Sequence, residues 1–357
     1  ALSSAASDVY KRQAYVGSYS YTGKAKGITV YDVDVEAGKF IYRCEVEVDN
    51  SSYLKASQNG QILYSIADEG VVAFRVLPNG SLARLNSANI RGMRGCHLST
   101  SKADDYIFIS GFHDGKITVL NLNKDGSVGQ IADGVFHKGL GSVAERSFRP
   151  HVSCSRLTPD ERFLMVADLG IDQIKVYRFD HKDGKIALVD TIRCELESAP
   201  KYFMFSSDGR FFYVLYEMKN VIEVYSYKEG ERVPIVEKIQ TISSTGSKPN
   251  QLTAACAMHF SPDEKHVFCS NAGDNTVSMY DRDDETGMLT LRFCLPISGD
   301  YPKDIAIFPG GEHLASINHE GSISFFKIDY EKGLLVMSDR SIKVNEPNCC
   351  EIVKIGD

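Results

Sequence analysis

Short runs of alternating apolar and polar residues recur along the whole chain. QIKVYR (173–178) has counterparts in GITVYD (27–32), GVVAFR (70–75), KITVLN (116–121), VIEVYS (221–226), TVSMYD (276–281) and SISFFK (322–327). Each alternates with period two and is rich in β-branched and aromatic residues, which predicts a half-buried strand. The second residues of these runs are spaced by 43, 46, 57, 48, 55 and 46 positions. A period of this size marks a repeat architecture. Before each later copy lies another apolar run, such as FLMVAD (163–168) or FFYVLY (211–216). Four of these are preceded by a turn (TPDER, SSDGR, SPDEK, PGGEH) and a further run: HVSCSRL, KYFMF, ACAMHF or KDIAIF. A Gly-containing turn such as NKDGS or HKDGK, and then a fourth run, follow the marker strand. Asp and Gly suit such turns because they cap or permit tight backbone. Four antiparallel strands, repeated seven times with almost no helical periodicity, predict an all-β fold: a seven-bladed β-propeller.

The first repeat, from AYVGSY, lacks an innermost strand. The last residues, EPNCCEIVKI (346–355), have the Pro-then-alternation form of RPHVSCS, APKYFMF and YPKDIAI. The C-terminal strand is therefore expected to complete the first blade, which leaves no open edge. Pro150, Pro200, Pro302 and Pro347 are read as starting innermost strands, where a missing ladder donor is tolerated. The chain has no Trp and no Gly-His/Trp-Asp signature, which argues against the WD40 kind. Residues 14–357 are expected to be one propeller domain. Residues 1–13, ALSSAASDVYKRQ, are unlike the rest, and DVYKRQ resembles a translated sequencing-library adapter. They are expected to be non-native, disordered and apart from the domain.

The 40 Lys and Arg against 47 Asp and Glu give a net charge of −7, which argues against a nucleic-acid-coating surface. There is no apolar run of transmembrane length and no secretory pattern at the start. A cytoplasmic monomer acting on a small soluble molecule is expected, with neither nucleic acid nor membrane as partner. The nine scattered cysteines include no zinc-type Cys-x-x-Cys pair and read as buried free thiols. Cys349 and Cys350 are adjacent and should point to opposite faces of a strand.

Function in a propeller concentrates on the loops at the channel mouths. Two loops entering innermost strands, 129–151 and 241–255, are long and would cover one mouth. Arg146, Arg149 and His151 come from the first. Lys201 and Lys303 each follow a strand-start Pro. Asp168, Glu217, Asn271 and His319 end second strands or begin the loops after them. Cations, a His and a carboxylate around one pocket suit an anionic substrate with a polarised carbonyl. Glu217 and His151 are the candidates for catalysis, activating water or assisting it. Arg146, Arg149, Lys201, Asp168, Asn271, Lys303 and His319 are the candidates for substrate binding. Asp168 before Leu-Gly better suits a turn cap, and Lys303 beside Asp304 equally a local ion pair. His97 and His113 read as structural, His259 and His266 as strand residues. No grouping has the spacing of a metal site, and no cofactor is expected.

Residues 14–355 resemble the lactonase family of seven-bladed propellers, which includes a bacterial 6-phosphogluconolactonase and a fungal muconate-lactonizing cyclase. The pieces that carry the likeness are AYVGSYSYTGKAKGITVYDVD, RPHVSCSRLTPDERFLMVADLGIDQIKVYRFD, SAPKYFMFSSDGRFFYVLYEMKNVIEVY, FSPDEKHVFCSNAGDNTVSMY and YPKDIAIFPGGEHLASINHEGSISFF. Glu217, Asp168, Gly170 and His151 fit the family pattern. The chain departs from it with Ser153 in place of a His, Lys201-Tyr202 in place of Arg-His or Arg-Asp, Ala257 in place of a Glu, and Ala272 within an Asn-Arg-Gly. Lys201 can replace an Arg charge though not its bidentate fork. The resemblance implies a metal-free hydrolase of a small anionic sugar lactone. A non-catalytic ligand-binding propeller and a lactone-forming cycloisomerase remain as alternatives.

Overall fold

The computed structural model describes residues 12–142, 148–246 and 248–356. Within them are 28 strands in seven four-stranded antiparallel sheets. The seven marker runs are the third strands of the sheets, counted outward from the channel. In chain order the innermost strands of blades two to seven are Leu54–Ala56, His97–Thr100, Val152–Leu157, Pro200–Phe205, Ala254–Phe260 and Pro302–Ile307. That of blade one is the C-terminal Pro347–Lys354, paired to Arg12–Ser18. The ring closes as the sequence predicts.

Two boundaries move. Arg12 and Gln13, set aside with the first thirteen residues, belong to the strand Arg12–Ser18. Gln13 is fully buried and donates to Asp32 at 2.6 Å. Residues 1–11 lie outside the described residues. Pro200, Pro302 and Pro347 begin their strands, but Pro150 and His151 precede Val152–Leu157 as loop.

The core is distributed around the ring. Seven apolar clusters each join two adjacent blades. Because residues alternate faces along a strand, one strand feeds two clusters: Cys349 packs between blades one and two, Cys350 between seven and one. All nine cysteines are free.

One irregularity repeats. In five innermost strands the ladder skips one residue near the mouth: Ser153, Lys201, Cys256, Lys303 and Asn348. Cys96 takes this place in blade three, where its N–H and the following His97 share Ser110. Ser52, two residues before Leu54, takes it in blade two. A bulge leaves one residue unpaired and re-aims its side chain. These side chains form a ring in the channel, most of them reaching the next blade. Ser52 Oγ donates to Gly95 O at 2.9 Å and Ser153 Oγ to Pro200 O at 2.8 Å. Cys96 Sγ lies 3.4 Å from Val152 O. Lys201 Nζ lies 4.0 Å from Cys256 Sγ, and Lys303 Nζ donates to Asn348 Oδ1 at 2.7 Å.

Candidate functional site at the channel mouth

The bulge places Lys201 and Lys303 in the wall of the mouth, two blades apart. Glu217 lies just past the second strand of blade five and is 7% exposed. Its Oε2 is 2.5 Å from Lys201 Nζ. Burial works against the charge on Lys201, but the Cys256 sulfur and the Glu217 carboxylate oppose burial and hold the lysine above its ordinary range. Burial also pushes the Cys256 thiol up. The thiol is then neutral near pH 7, and the carboxylate is the effective counter-charge. Among the described residues no carboxylate lies within ion-pair distance of Lys303, and the Glu217 charge acts on it only weakly. Burial, and after it the nearby Lys201 charge, lower its pKa to about 8.

Aromatic rings complete this side of the mouth. Lys303 Nζ lies 4.8 Å over the Tyr19 ring, and Arg94 Cζ lies 4.9 Å from the same ring. Arg94 also pairs with Asp68 at 3.0 Å. His319 meets Tyr19 edge-on at 5.7 Å and Tyr301 at 5.9 Å, with Nδ1 3.2 Å from Pro347 O. Burial, then the Lys303 charge, push the His319 pKa down, which keeps the imidazole neutral. Lys201, Glu217, Lys303 and His319 thus lie on one side of the mouth. They are joined by Tyr19, Arg94 and Asn348.

His151 stands in blade four, the neighbour of Lys201 around the ring. Its Nδ1 is 2.7 Å from Phe112 O and its ring stacks on Phe112 at 4.3 Å. A carbonyl only accepts, so Nδ1 carries a hydrogen; in the neutral ring Nε2 is then the lone-pair nitrogen. Gly170 lets the loop after blade four's second strand press onto this place. A Cβ there would sit 1.8 Å from Arg149 O and 2.7 Å from the His151 ring. Arg149 is exposed beside Phe148, its Cζ 5.7 Å from that ring. Arg146 lies outside the described residues.

Two expected binding residues take supporting places instead. Asp168 is fully buried and accepts from His151 N at 2.8 Å and Gly170 N at 3.1 Å, with His137 Nδ1 at 2.7 Å. Asn271 is fully buried and donates to Ser244 O at 2.9 Å and Thr276 Oγ1 at 3.2 Å. Each satisfies loop groups that would otherwise be orphaned, and neither has surface to offer a substrate. Asp168→Ala should therefore cost about 3 kcal/mol or more by stranding several buried donors. A thermal melt checks this; a loss within experimental error would contradict it.

Residues 13–352 match the family model described as "Lactonase, 7-bladed beta-propeller". The chain belongs to this lactonase family. It is 26% identical to the 6-phosphogluconolactonase of Bacillus subtilis over 346 residues, covering 95% of this chain and 97% of that one. A protein of the same name from Formosa agariphila is also 26% identical, over 93% of this chain and 96% of its own. A solved structure from Bacteroides fragilis, provisionally described as a 6-phosphogluconolactonase, is 29% identical with TM-score 0.87, covering 96% of this chain and 98% of that one. The periplasmic gluconolactonase of Pseudomonas aeruginosa shares the fold, with TM-score 0.89 at 23% identity over 97% and 99% of the two chains.

In this member of the family, the departures at Ser153, Lys201-Tyr202 and Ala257 fall on or next to the bulge ring. Ser153 is a bulge residue bonded to Pro200 O. Tyr202 follows bulged Lys201, and its hydroxyl accepts from Arg156. Ala257 and Ala272 are buried and add no polar group. No helix of the described residues is long and apolar enough to cross a membrane.

Proposed function

We propose that this lactonase-family protein hydrolyses an anionic sugar lactone, of the 6-phosphogluconolactone kind, at the bulge-ring mouth. The observation that carries this reading is the Lys201–Glu217 pair facing the same mouth as Lys303 and Arg94. A carboxylate able to activate water stands there beside cations able to hold an oxyanion and a phosphate. Glu217 takes a proton from water as its oxygen bonds to the lactone carbonyl carbon. The Lys201 ammonium stabilises the negative carbonyl oxygen. As the tetrahedral intermediate collapses, the ring C–O bond breaks, and the departing alkoxide takes the proton back from Glu217. His151 assists by hydrogen bonding to the lactone or the water. Lys303, Arg94, Arg149 and His319 bind the anionic end. The likeness to the 6-phosphogluconolactonases of Bacillus subtilis and Formosa agariphila supports the same substrate class.

A panel of phosphorylated and plain sugar lactones tests this. Hydrolysis well above the spontaneous rate, with preference for phosphorylated members, is expected. Binding of sugar phosphates with no hydrolysis would instead establish a non-catalytic propeller.

The pH response of Lys303 gives a second check. A lysine with pKa near 8 is charged below that pH and neutral above it. Its hold on a phosphate should be strongest below about pH 8 and fade as pH rises through that value. A charged hydrogen bond contributes roughly 1.5–3 kcal/mol, so KM should rise by about tenfold or more across the window. Lys303→Ala should have a high KM at low pH and a flat profile. A wild-type KM that stays level through pH 9 contradicts this role.

A further inference from the structure

Below the bulge ring the innermost strands present two more tiers to the channel. The upper holds Tyr53, His97 and Tyr202, whose rings follow one another at 4.7 and 5.9 Å. Two residues further along the strands, about 7 Å deeper at the rise of a β-strand, lie Lys55, Arg156, His259 and Glu351. Three of these four have their charge or polar edge committed. Lys55 Nζ pairs with Glu351 Oε1 at 2.7 Å, and Glu351 also accepts from Ala56 N at 3.1 Å. His259 Nε2 is 2.8 Å from Asp304 Oδ1, while Asp304 Oδ2 accepts from Cys350 N at 2.9 Å.

Arg156 is different. Its Nη2 donates to the Tyr202 hydroxyl, and its guanidinium lies 5.0 Å from that ring's centre. Its Nε is buried with no partner. Among the described residues no carboxylate stands within ion-pair distance of it. A guanidinium stays charged at any physiological pH. Arg156 is half-buried, with the Cys154 sulfur beside it, and a charge in that setting with no carboxylate at hand would gain from a bound anion. The surroundings strengthen such an attraction. His97 is kept neutral, its pKa pushed well down by burial and then by Arg156 and Lys55. Burial likewise keeps Tyr53 and Tyr202 in their uncharged form.

We propose that the lower channel is a second anion site, built on the Arg156 guanidinium, which takes a small oxyanion of the phosphate type. The guanidinium fork matches two oxygens of such an ion. The Tyr53–His97–Tyr202 tier lies between this site and the mouth. The site depends on none of the groups assigned to hydrolysis.

Inorganic phosphate is the probe, titrated calorimetrically into the full chain. Lys303→Ala/Arg94→Ala, which strips two cations from the mouth, should still bind phosphate at one site. Adding Arg156→Met to that background should weaken this binding at least tenfold. Arg156→Lys, which keeps the charge without the fork, should weaken it several-fold and serves should the Met variant fail to fold. The proposal is overturned if the mouth double variant binds no phosphate, or if neither substitution at Arg156 changes binding. Because the readout is binding in a mouth-deficient variant, it stands or falls apart from lactone hydrolysis.

Discussion

Glu217→Gln should lower kcat for lactone hydrolysis by about a hundredfold or more, with a much smaller change in KM. Removing a positioned acid–base group has an effect of that size, and one acting only in the transition state appears in kcat. Gln is nearly isosteric and keeps a hydrogen-bond acceptor for Lys201 Nζ, which now lies 2.5 Å from the carboxylate. The substitution does remove the counter-charge that opposes burial at Lys201. The Lys201 pKa should therefore fall, and the residual activity should decline with rising pH at a lower pH than in the wild type. A variant that retains kcat within a few-fold would remove Glu217 from the chemistry and leave it as an anchor for Lys201.

Truncation after Glu346 should abolish cooperative folding. The lost segment is the whole innermost strand of blade one. It contributes Cys349 and Val353 to the cluster shared with blade two and Cys350 to the one shared with blade seven. It also contributes the Lys55–Glu351 bridge and the Cys350 N–H bond to Asp304. Its removal would bare the edge of Arg12–Ser18, a template for pairing with other chains. Circular-dichroism melting and size-exclusion chromatography should show a lost transition and association. A truncated monomer that melts like the full chain would contradict the closed-ring account.

Blade count, strand order and closure were legible because each rests on a repeated pattern that must bury the same faces seven times. The mouth was legible in part. Lys201 and Lys303 stood out by following a strand-start Pro, and Asn348 after Pro347 carried the same signal without being singled out. Asp168 and Asn271 were correctly placed at the mouth ends of their strands, but period-two alternation does not say that loop donors will turn a carboxylate or amide inward. His151 illustrates the same limit, since its ring settles against Phe112, a neighbour from another blade. Tyr19 and Arg94 escaped notice because they lie in loops outside the repeat and come from different blades. His259 read as a strand residue, and Arg156 was not singled out until the register showed both sharing a tier with Lys55.

The bulge ring has a consequence for how this scaffold can change its chemistry. A residue skipped by the ladder holds no position in the register and belongs to none of the apolar blade-to-blade clusters. Ser, Cys, Lys and Asn already occupy such positions in this one chain. Each is therefore a socket whose occupant can be exchanged at little cost to folding, and seven sockets face a single opening. New substrate preferences should arise here by single exchanges, with the rest of the propeller unaltered, and a saturation library confined to these seven codons is the economical place to look for them.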